Sequence, residues 1–368
     1  MGISHLGMTG PLNHTDTTLD LPLPATTPDH PTEPSSTTTA LARYITTIEP
    51  PYPPITERRL AFETSRPRLL RQCLAEATGT FFFVYTGLAS VASYILHTDS
   101  EIGATAFGSH FQTGCAFGLG VVFAVITCAP TSGGHFNPAV TISLAFWQGF
   151  PWWKVPLYIL SQVAGSFMGG LLVMGAYWPQ IQSLNAKFLE AGRPLFGSGT
   201  PASILCAFPG EGQENPGYVF LVEFLVDVFI GIVIWATLDP ANQFIAPSCI
   251  PPVLGAAYAS MIWGFGSLAL STNLARDLGT RMVAAMFYGR EAFTYMGYAP
   301  IAMLVNIPAT LLATAYYELV MRDSLSIIGR GRAKHEGGDA ALYKHLRTMR
   351  LVDEEKGGRS LDATVVKS

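Results

Sequence analysis

Charged residues are scarce in this sequence: 13% of its 368 residues are Asp, Glu, Lys or Arg, while 49% are hydrophobic. Soluble globular domains usually contain about 25% charged residues. Charges are rare between Cys73 and Val320 and concentrate in residues 1–72 and 321–368. This distribution argues against an ordinary soluble domain. It predicts a multi-pass membrane domain over residues 69–322, between an N-terminal tail (1–68) and a C-terminal tail (323–368).

Patterns that bind metals or cofactors are also missing. The five cysteines form no CxxC pair and have no histidine at metal-ligand spacing, which predicts neither a disulfide framework nor a metal site. The core contains no nucleophile–base set and no cofactor fingerprint, so we expect no enzyme, no cofactor and no nucleic-acid partner. Residues 1–65 lack a basic region followed by an apolar run, so no signal peptide is predicted. Their Pro/Thr/Ser-rich composition predicts disorder.

Long apolar segments are abundant, and about 20 apolar residues suffice for one membrane-spanning helix. Two further apolar pieces, 138–148 and 274–288, are too short to cross a bilayer, and each follows an asparagine. They are predicted to be half-helices that enter the membrane from opposite sides. The six predicted spans are 70–96, 104–130, 153–177, 218–238, 251–269 and 298–320.

Basic residues flank the first and last spans, whereas the intervening loops 97–103 and 179–216 contain few. Short cytoplasmic loops carry an excess of Lys and Arg. Both termini are therefore predicted to be cytoplasmic, in agreement with an even number of spans. The flanking basic residues are Arg58, Arg59, Arg66, Arg68, Arg71, Arg322, Arg330, Arg332 and Lys334.

The two halves of the predicted membrane domain resemble each other. "AEATGTFFFV" (75–84) opens the first half and "VEFLVDVFIG" (222–231) opens the second, each with a glutamate, Glu76 or Glu223, near the start. Three spans per half place the halves in opposite orientations, which is the inverted-repeat arrangement. Interrupted segments at matching places then indicate a pathway near the membrane midplane.

The interrupted segments read "SGGHFNPAVT" (132–141) and "STNLARDLGTR" (271–281). An asparagine at a helix N-cap accepts a backbone N–H through its side-chain oxygen, which fixes its NH₂ group as a donor. Pro138 suits the first helical position. If both half-helices begin at the midplane, the NH₂ groups of Asn137 and Asn273 meet there with two positive helix ends, which oppose cations.

Residues just before each asparagine are predicted to be extended, with carbonyl oxygens that line the path as acceptors. The glycines permit a close approach of the backbone. A row of acceptors with two central donors suits an uncharged, hydrogen-bonding solute and is typical of a channel. The predicted acceptors are Gly133, Gly134, His135 and Phe136 in the first half, and Leu270, Ser271 and Thr272 in the second.

With two half-helices headed by "NPA" and "NLARD", six spans and a glutamate in each half, residues 70–322 resemble the aquaporin (major intrinsic protein) family. The resemblance implies an all-α membrane fold of six transmembrane helices and two re-entrant half-helices in an inverted 3+3 repeat. Asn137 and Asn273 match the signature asparagines, and Arg276 matches the arginine of the selectivity filter. Phe117 and Leu270 match two further filter positions.

The filter position in span five falls on Ser260 or Met261. Asp277 and Arg281 resemble the glycerol-conducting branch, the aquaglyceroporins, and span five contains no histidine. Leu274 replaces the usual proline of the second signature, as in fungal members of the family. The resemblance implies passive conduction of water, glycerol and other small polyols across a lipid bilayer by a homotetramer, with the plasma membrane as the expected location.

Two other functions compete with this interpretation. A proton-coupled secondary transporter with inverted repeats could use the acids Glu76, Glu223 and Asp227, since ionisable residues inside spans are functional candidates. A poorly conducting sensor could act through the tails. The family comparison instead gives Glu76 and Glu223 a structural role in holding the re-entrant loops. Asp227 stands where the first half has Thr80, and the resemblance gives it no role.

Overall fold

The computed structural model describes residues 54–98, 108–329, 331 and 333–349. Their regular secondary structure is entirely helical. The chain divides into two units, Met1–Arg68 and Leu69–Ser368. Six helical segments in the described residues are long and apolar enough to cross a membrane, which confirms the predicted all-α membrane fold. They are Arg68–His97, His110–Ser132, Trp152–Ala176, Pro216–Leu238, Pro247–Phe265 and Ala299–Met321.

The first unit contains helix α1, Glu57–Ser65, in the predicted disordered tail. Thr56 caps its first turn, with the hydroxyl accepting a hydrogen bond from the backbone N–H of Arg59 at 3.2 Å. Arg59 and Glu63 pair one turn apart at 2.5 Å, and such pairs support an isolated helix. The prediction of disorder is therefore wrong for this stretch, while residues 1–53 lie outside the described residues.

The second unit contains all the predicted membrane elements. The helices of its six spans are α2 (Arg68–His97), α3 (His110–Ser132), α5 (Val155–Ala176), α7 (Pro216–Leu238), α8 (Ile250–Phe265), α11 (Ala299–Leu304) and α12 (Asn306–Tyr316). The two half-helices are α4 (Pro138–Trp147) and α9 (Leu274–Tyr288), and the shorter helices are α6 (Trp178–Glu190), α10 (Glu291–Thr294), α13 (Ser324–Gly329) and α14 (Gly338–Thr348). The last span joins α11 and α12 and ends in a widened turn, Tyr317–Met321.

The structure differs from the sequence prediction most clearly at two span boundaries and in one loop. The second span begins at His110, capped by the Ser109 hydroxyl, and not at residue 104. The fifth span ends at Phe265, because residues 266–273 turn back as a non-helical loop. The long predicted loop 179–216 contains α6, whose second residue is a proline, a residue suited to a helix start.

The two halves interlock. Each half-helix packs against the third span of the opposite half: α9 against α5, and α4 against α12. Spans α3 and α8 also cross between halves, at a point where a Cβ atom on Gly255 would lie 2.5 Å from the carbonyl oxygen of Gly118. Glycines allow this approach because they carry no side chain. The core is therefore shared by both halves.

Candidate functional site

The first re-entrant loop turns sharply after α3. Gly133 and Gly134 adopt positive φ angles of 96° and 74°, and Phe136 has a φ of 49°; glycine adopts this region readily. The Glu76 carboxylate accepts hydrogen bonds from the backbone N–H groups of His135 at 3.0 Å and Phe136 at 2.8 Å. The buried carboxylate on α2 thus holds the loop that leads into α4.

The second re-entrant loop repeats this geometry. Thr272 has a φ of 59°, like Phe136 in the first loop. Glu223 on α7 accepts from the backbone N–H groups of Ser271 at 2.8 Å and Thr272 at 3.3 Å, and from the Tyr298 hydroxyl at 2.5 Å. The predicted pair of glutamates therefore occupies equivalent positions, one against each loop.

The two asparagines meet at the junction of the half-helices. Asn137 caps α4 by accepting from the N–H of Ala139 at 2.9 Å. Its Nδ2 donates to the carbonyl oxygen of Thr272 at 3.0 Å, and Asn273 Nδ2 donates to the carbonyl oxygen of Phe136 at 2.9 Å. An amide NH₂ has two hydrogens, so each of these bonds leaves one hydrogen for another acceptor.

Leu274 does not disturb the second cap. The Asn273 side-chain oxygen accepts from the N–H groups of Ala275 at 2.9 Å and Arg276 at 3.1 Å. α9 begins at Leu274 with this cap in place. The proline that usually stands at this position is therefore not needed for the helix start.

A cavity of about 250 Å³ leads to this junction and is called the vestibule here. One part of its wall is polar, and Arg276 and Asn273 contribute donors. Another part is apolar, with Phe117 and Leu270 among its residues. The cavity also contacts Ser271 and Thr272. Six of the predicted pore and filter residues therefore surround one space.

The residues predicted for the filter position in span five, Ser260 and Met261, are not among those that form the vestibule wall. Ser260 is exposed, and its hydroxyl donates back to the carbonyl oxygen of Ala256, whereas Met261 packs beside the apolar cluster around Trp235. Ile262 and Tyr258, one helical turn apart on α8, face the vestibule instead. The difference arises from the length of the loop between α8 and Asn273, which counting back along the sequence overestimated.

An ion network lies beside the vestibule. Arg276 donates to Asp277 at 3.2 Å, and Arg281 pairs with the other oxygen of the same buried carboxylate. Arg281 also donates to the carbonyl oxygens of Ala207 at 2.8 Å and Ala292 at 2.5 Å. The network therefore joins α9 to α10 through Ala292 and to the vestibule wall through Ala207.

The Arg276 guanidinium also lies 5.8 Å from the centre of the Phe117 ring. Burial raises the pKa of the nearby Cys206 thiol to about 12, so this cysteine is protonated near neutral pH. A nucleophilic thiolate is consequently not available in this wall of the vestibule.

Four predicted acceptors lie outside the vestibule: Gly133, Gly134, His135 and Phe136 are not among the residues that form its wall. The His135 side chain is buried, with Nδ1 3.2 Å from the Thr141 hydroxyl and its ring 4.6 Å from that of Phe150. The side chain is therefore packed, and the carbonyl role of this segment stays a prediction.

Asn306 is a residue of the junction that the sequence analysis missed. Its Nδ2 donates to Asn137 Oδ1 and to the carbonyl oxygen of Thr272, both at 3.2 Å. Gln162 has a comparable place in the first half, where it donates to Glu76 at 2.7 Å. Polar residues inside apolar spans are often functional, and that signal could have identified both.

Comparison with known families matches residues 63–301 to the family described as Major intrinsic protein. Aquaporin-3 of Laccaria bicolor is 39% identical over 260 residues, which cover 70% of this chain and 78% of that relative. Aquaglyceroporin-2 of Rhizophagus irregularis is 34% identical over 257 residues, with coverages of 68% and 77%.

The crystal structure of the aquaglyceroporin from Plasmodium falciparum is similar in fold. Its TM-score is 0.57 at 23% sequence identity, and the match covers 69% of this chain and 97% of that one. Together with the family match, the six apolar spans and the paired half-helices show that this chain belongs to the major intrinsic protein family of membrane channels.

Proposed function

We propose that the channel conducts water and small neutral solutes, glycerol among them, passively and in both directions. The observation that carries this proposal is the junction of the half-helices, where the signature asparagines are fixed as donors at the end of an amphipathic vestibule. Relatives named aquaporin and aquaglyceroporin support the same substrates.

The vestibule suits a polyol because one part of its wall is polar and another part is apolar. Carbon atoms of the solute contact the apolar side formed by Phe117, Ile262 and Leu270, while its hydroxyl groups accept hydrogen bonds from Arg276 and Asn273. These contacts replace the hydration that the solute loses on entry. Cations are opposed by the Arg276 charge and by the positive ends of two half-helices.

Stopped-flow light scattering on proteoliposomes of the purified full-length chain tests the proposal. Sucrose gradients drive water, and glycerol gradients drive glycerol, with protein-free liposomes as the control. We expect both solutes to move faster with the protein present. Water flux alone would contradict the glycerol assignment, and the absence of both fluxes would contradict the proposed conduction.

Proton-coupled transport is the alternative function, because acidic residues lie inside the spans. Glu76 and Glu223 each accept two backbone N–H groups and one side-chain donor, an arrangement that favours fixed anchors over carriers that gain and lose protons. We therefore expect an imposed proton gradient to leave glycerol flux unchanged. Flux that follows the gradient would support the transporter.

We further propose a homotetramer in the plasma membrane, with both termini cytoplasmic and no catalytic activity. The domain boundaries proposed are a tail over 1–68, the channel over 69–322 and a tail over 323–368, although 324–329 and 338–348 are helical. Protease protection in sealed, oriented vesicles tests the orientation, and light scattering of the purified protein in detergent tests the assembly. In vesicles whose cytoplasmic face points outward, a terminus that is protected from the protease would contradict the orientation. A monomer would contradict the assembly.

A further inference from the structure

Asp227 is a carboxylic acid inside span α7, one helical turn after Glu223. Its side chain is buried, with a relative exposure of 3%. Its Oδ2 has no hydrogen-bond partner among the residues that the structure describes. A buried polar group without a partner is costly, and an unpaired charge costs far more. Glu223 is explained by the loop that it holds, but Asp227 holds no loop in the described part of the chain, so its burial requires another explanation.

The packing of α7 on the last span shows what Asp227 faces. One helical turn before Asp227, Glu223 accepts a hydrogen bond from the hydroxyl of Tyr298 at 2.5 Å. One helical turn after Asp227, a Cβ atom added to Gly231 would lie 2.7 Å from the Cβ of Ala313. Residues four apart lie on the same face of a helix. Asp227 is four residues from both, so it faces the first turn of α12.

Asn306 is the first residue of that turn. It is 1% exposed, and its NH₂ group makes the two bonds to Asn137 Oδ1 and to the Thr272 carbonyl oxygen. Its own Oδ1 has no donor among the described residues. A buried carboxyl oxygen that lacks a partner and a buried amide oxygen that lacks a donor thus lie on facing turns of two packed helices.

We propose that Asp227 is a positioning residue for the signature asparagines: its neutral carboxyl group donates its proton to Asn306 Oδ1. Protonation removes the buried charge, and the hydrogen bond that the proton makes supplies the donor that Asn306 Oδ1 lacks. It also fixes the amide of Asn306, because Oδ1 then points toward α7 and Nδ2 toward the pore loops. Asn306 in turn holds the Asn137 side-chain oxygen and the Thr272 carbonyl.

The side chain of Tyr258 completes this group on the vestibule side. Its phenol lies near Asp227 and the side chain of Asn137, and it belongs to the vestibule wall. Three spans, α7, α8 and α12, therefore converge on the junction through polar side chains. The inference rests on the proposed function, since positioning the asparagines matters only if they line a conducting pore.

Three variants of the full-length chain separate this role from simple packing. Asp227→Asn retains a hydrogen-bond donor, so its water permeability in proteoliposomes should match the wild type. Asp227→Val leaves the Asn306 oxygen unpaired and should lower permeability by roughly fivefold or more. Thr80→Val is the matched control at the equivalent position of the first half, where the hydroxyl is also unpartnered among the described residues, and it should conduct normally.

A double-mutant cycle tests whether the two residues act together. Asn306→Val should lower permeability as Asp227→Val does, and the double variant should be no worse than either single one, because coupled residues are not additive. Additive losses would overturn the proposal. So would an Asp227→Asn variant that conducts no better than Asp227→Val.

Infrared spectroscopy of the purified protein gives a readout that is independent of flux. Near neutral pH, the wild type should show absorption from a protonated carboxyl group that Asp227→Asn removes. An unchanged absorption would mean that Asp227 is ionised and would overturn the proposal even if the channel conducts. A wild type that shows the absorption but conducts nothing would contradict the proposed function alone.

Discussion

Arg276 and Phe117 lie close together in the wall of the vestibule, and they present different chemistry to it. The guanidinium supplies hydrogen-bond donors and a positive charge, while the ring supplies an apolar surface of fixed size. In the proposed filter both residues would limit the size of a solute, but only the arginine carries charge. Their substitution should therefore produce two separable effects on selectivity.

Replacing Arg276 by Ala should admit cations, because the charge that opposes them is removed, and it should also widen the vestibule. Phe117→Ala should let larger polyols pass while cations remain excluded. Proteoliposome assays of potassium flux and of polyol flux distinguish the two results. Equal behaviour of the two variants would contradict the assignment of the charge barrier to Arg276.

Ile262 provides a test of the filter position in span five. Ile262→Phe should narrow the vestibule; an added barrier of about 1.4 kcal/mol, within the usual cost of overpacking, would slow glycerol about tenfold. Ser260→Phe is the matched control on the same helix, because Ser260 is exposed and should accept a larger side chain without effect. The reverse ranking in glycerol permeability would restore the original sequence prediction.

The sequence predicted some of these residues and missed others for definite reasons. Asn137, Asn273 and Arg276 lie inside short motifs whose chemistry can be inferred from local spacing. Ile262 could not be found in this way, because its orientation depends on how residues 266–270 turn between helix and loop. Asn306 belongs to no motif, and its role emerges only from contacts with residues more than thirty positions away.

At the scale of elements, length and apolar character were sufficient to predict the six spans and the two half-helices. The same criteria could not predict α1 or α6, which are short and contain polar residues. These helices depend on local features such as the Thr56 cap and the early Pro179. The close contact of α3 with α8 likewise could not be predicted from the sequence, because glycines in a span do not indicate which neighbouring helix they approach.

That contact can be tested by adding a single methyl group. Gly255→Ala would place a Cβ 2.5 Å from the carbonyl oxygen of Gly118, so the helices would have to separate, at a cost of about 1–3 kcal/mol. Gly264→Ala on the same helix meets nothing within 4 Å and should be neutral or stabilising by up to about 1 kcal/mol. Thermal unfolding in detergent compares the two, and equal stabilities would contradict the close packing.

At the scale of the whole molecule, the junction residues from Glu76 to Asn306 lie within the second unit. Deleting residues 1–53 should therefore leave water and glycerol permeability unchanged, provided that equal amounts of protein are reconstituted. Stopped-flow measurements on the truncated and full-length chains check this. A change in permeability would indicate that the N-terminal segment regulates the pore.

The interlocking of the halves also has a consequence for biosynthesis. Asn137 is translated long before Thr272 and Asn306, the residues that its side chain contacts. Contacts between residues so distant in sequence form late and slow down folding. The ribosome must therefore complete the second re-entrant loop before the two asparagines can be held together, and the final span before Asn306 can join them. Until then, Glu76 holds the backbone of the first loop, but the Asn137 side chain lacks its partners from the second half at membrane depth.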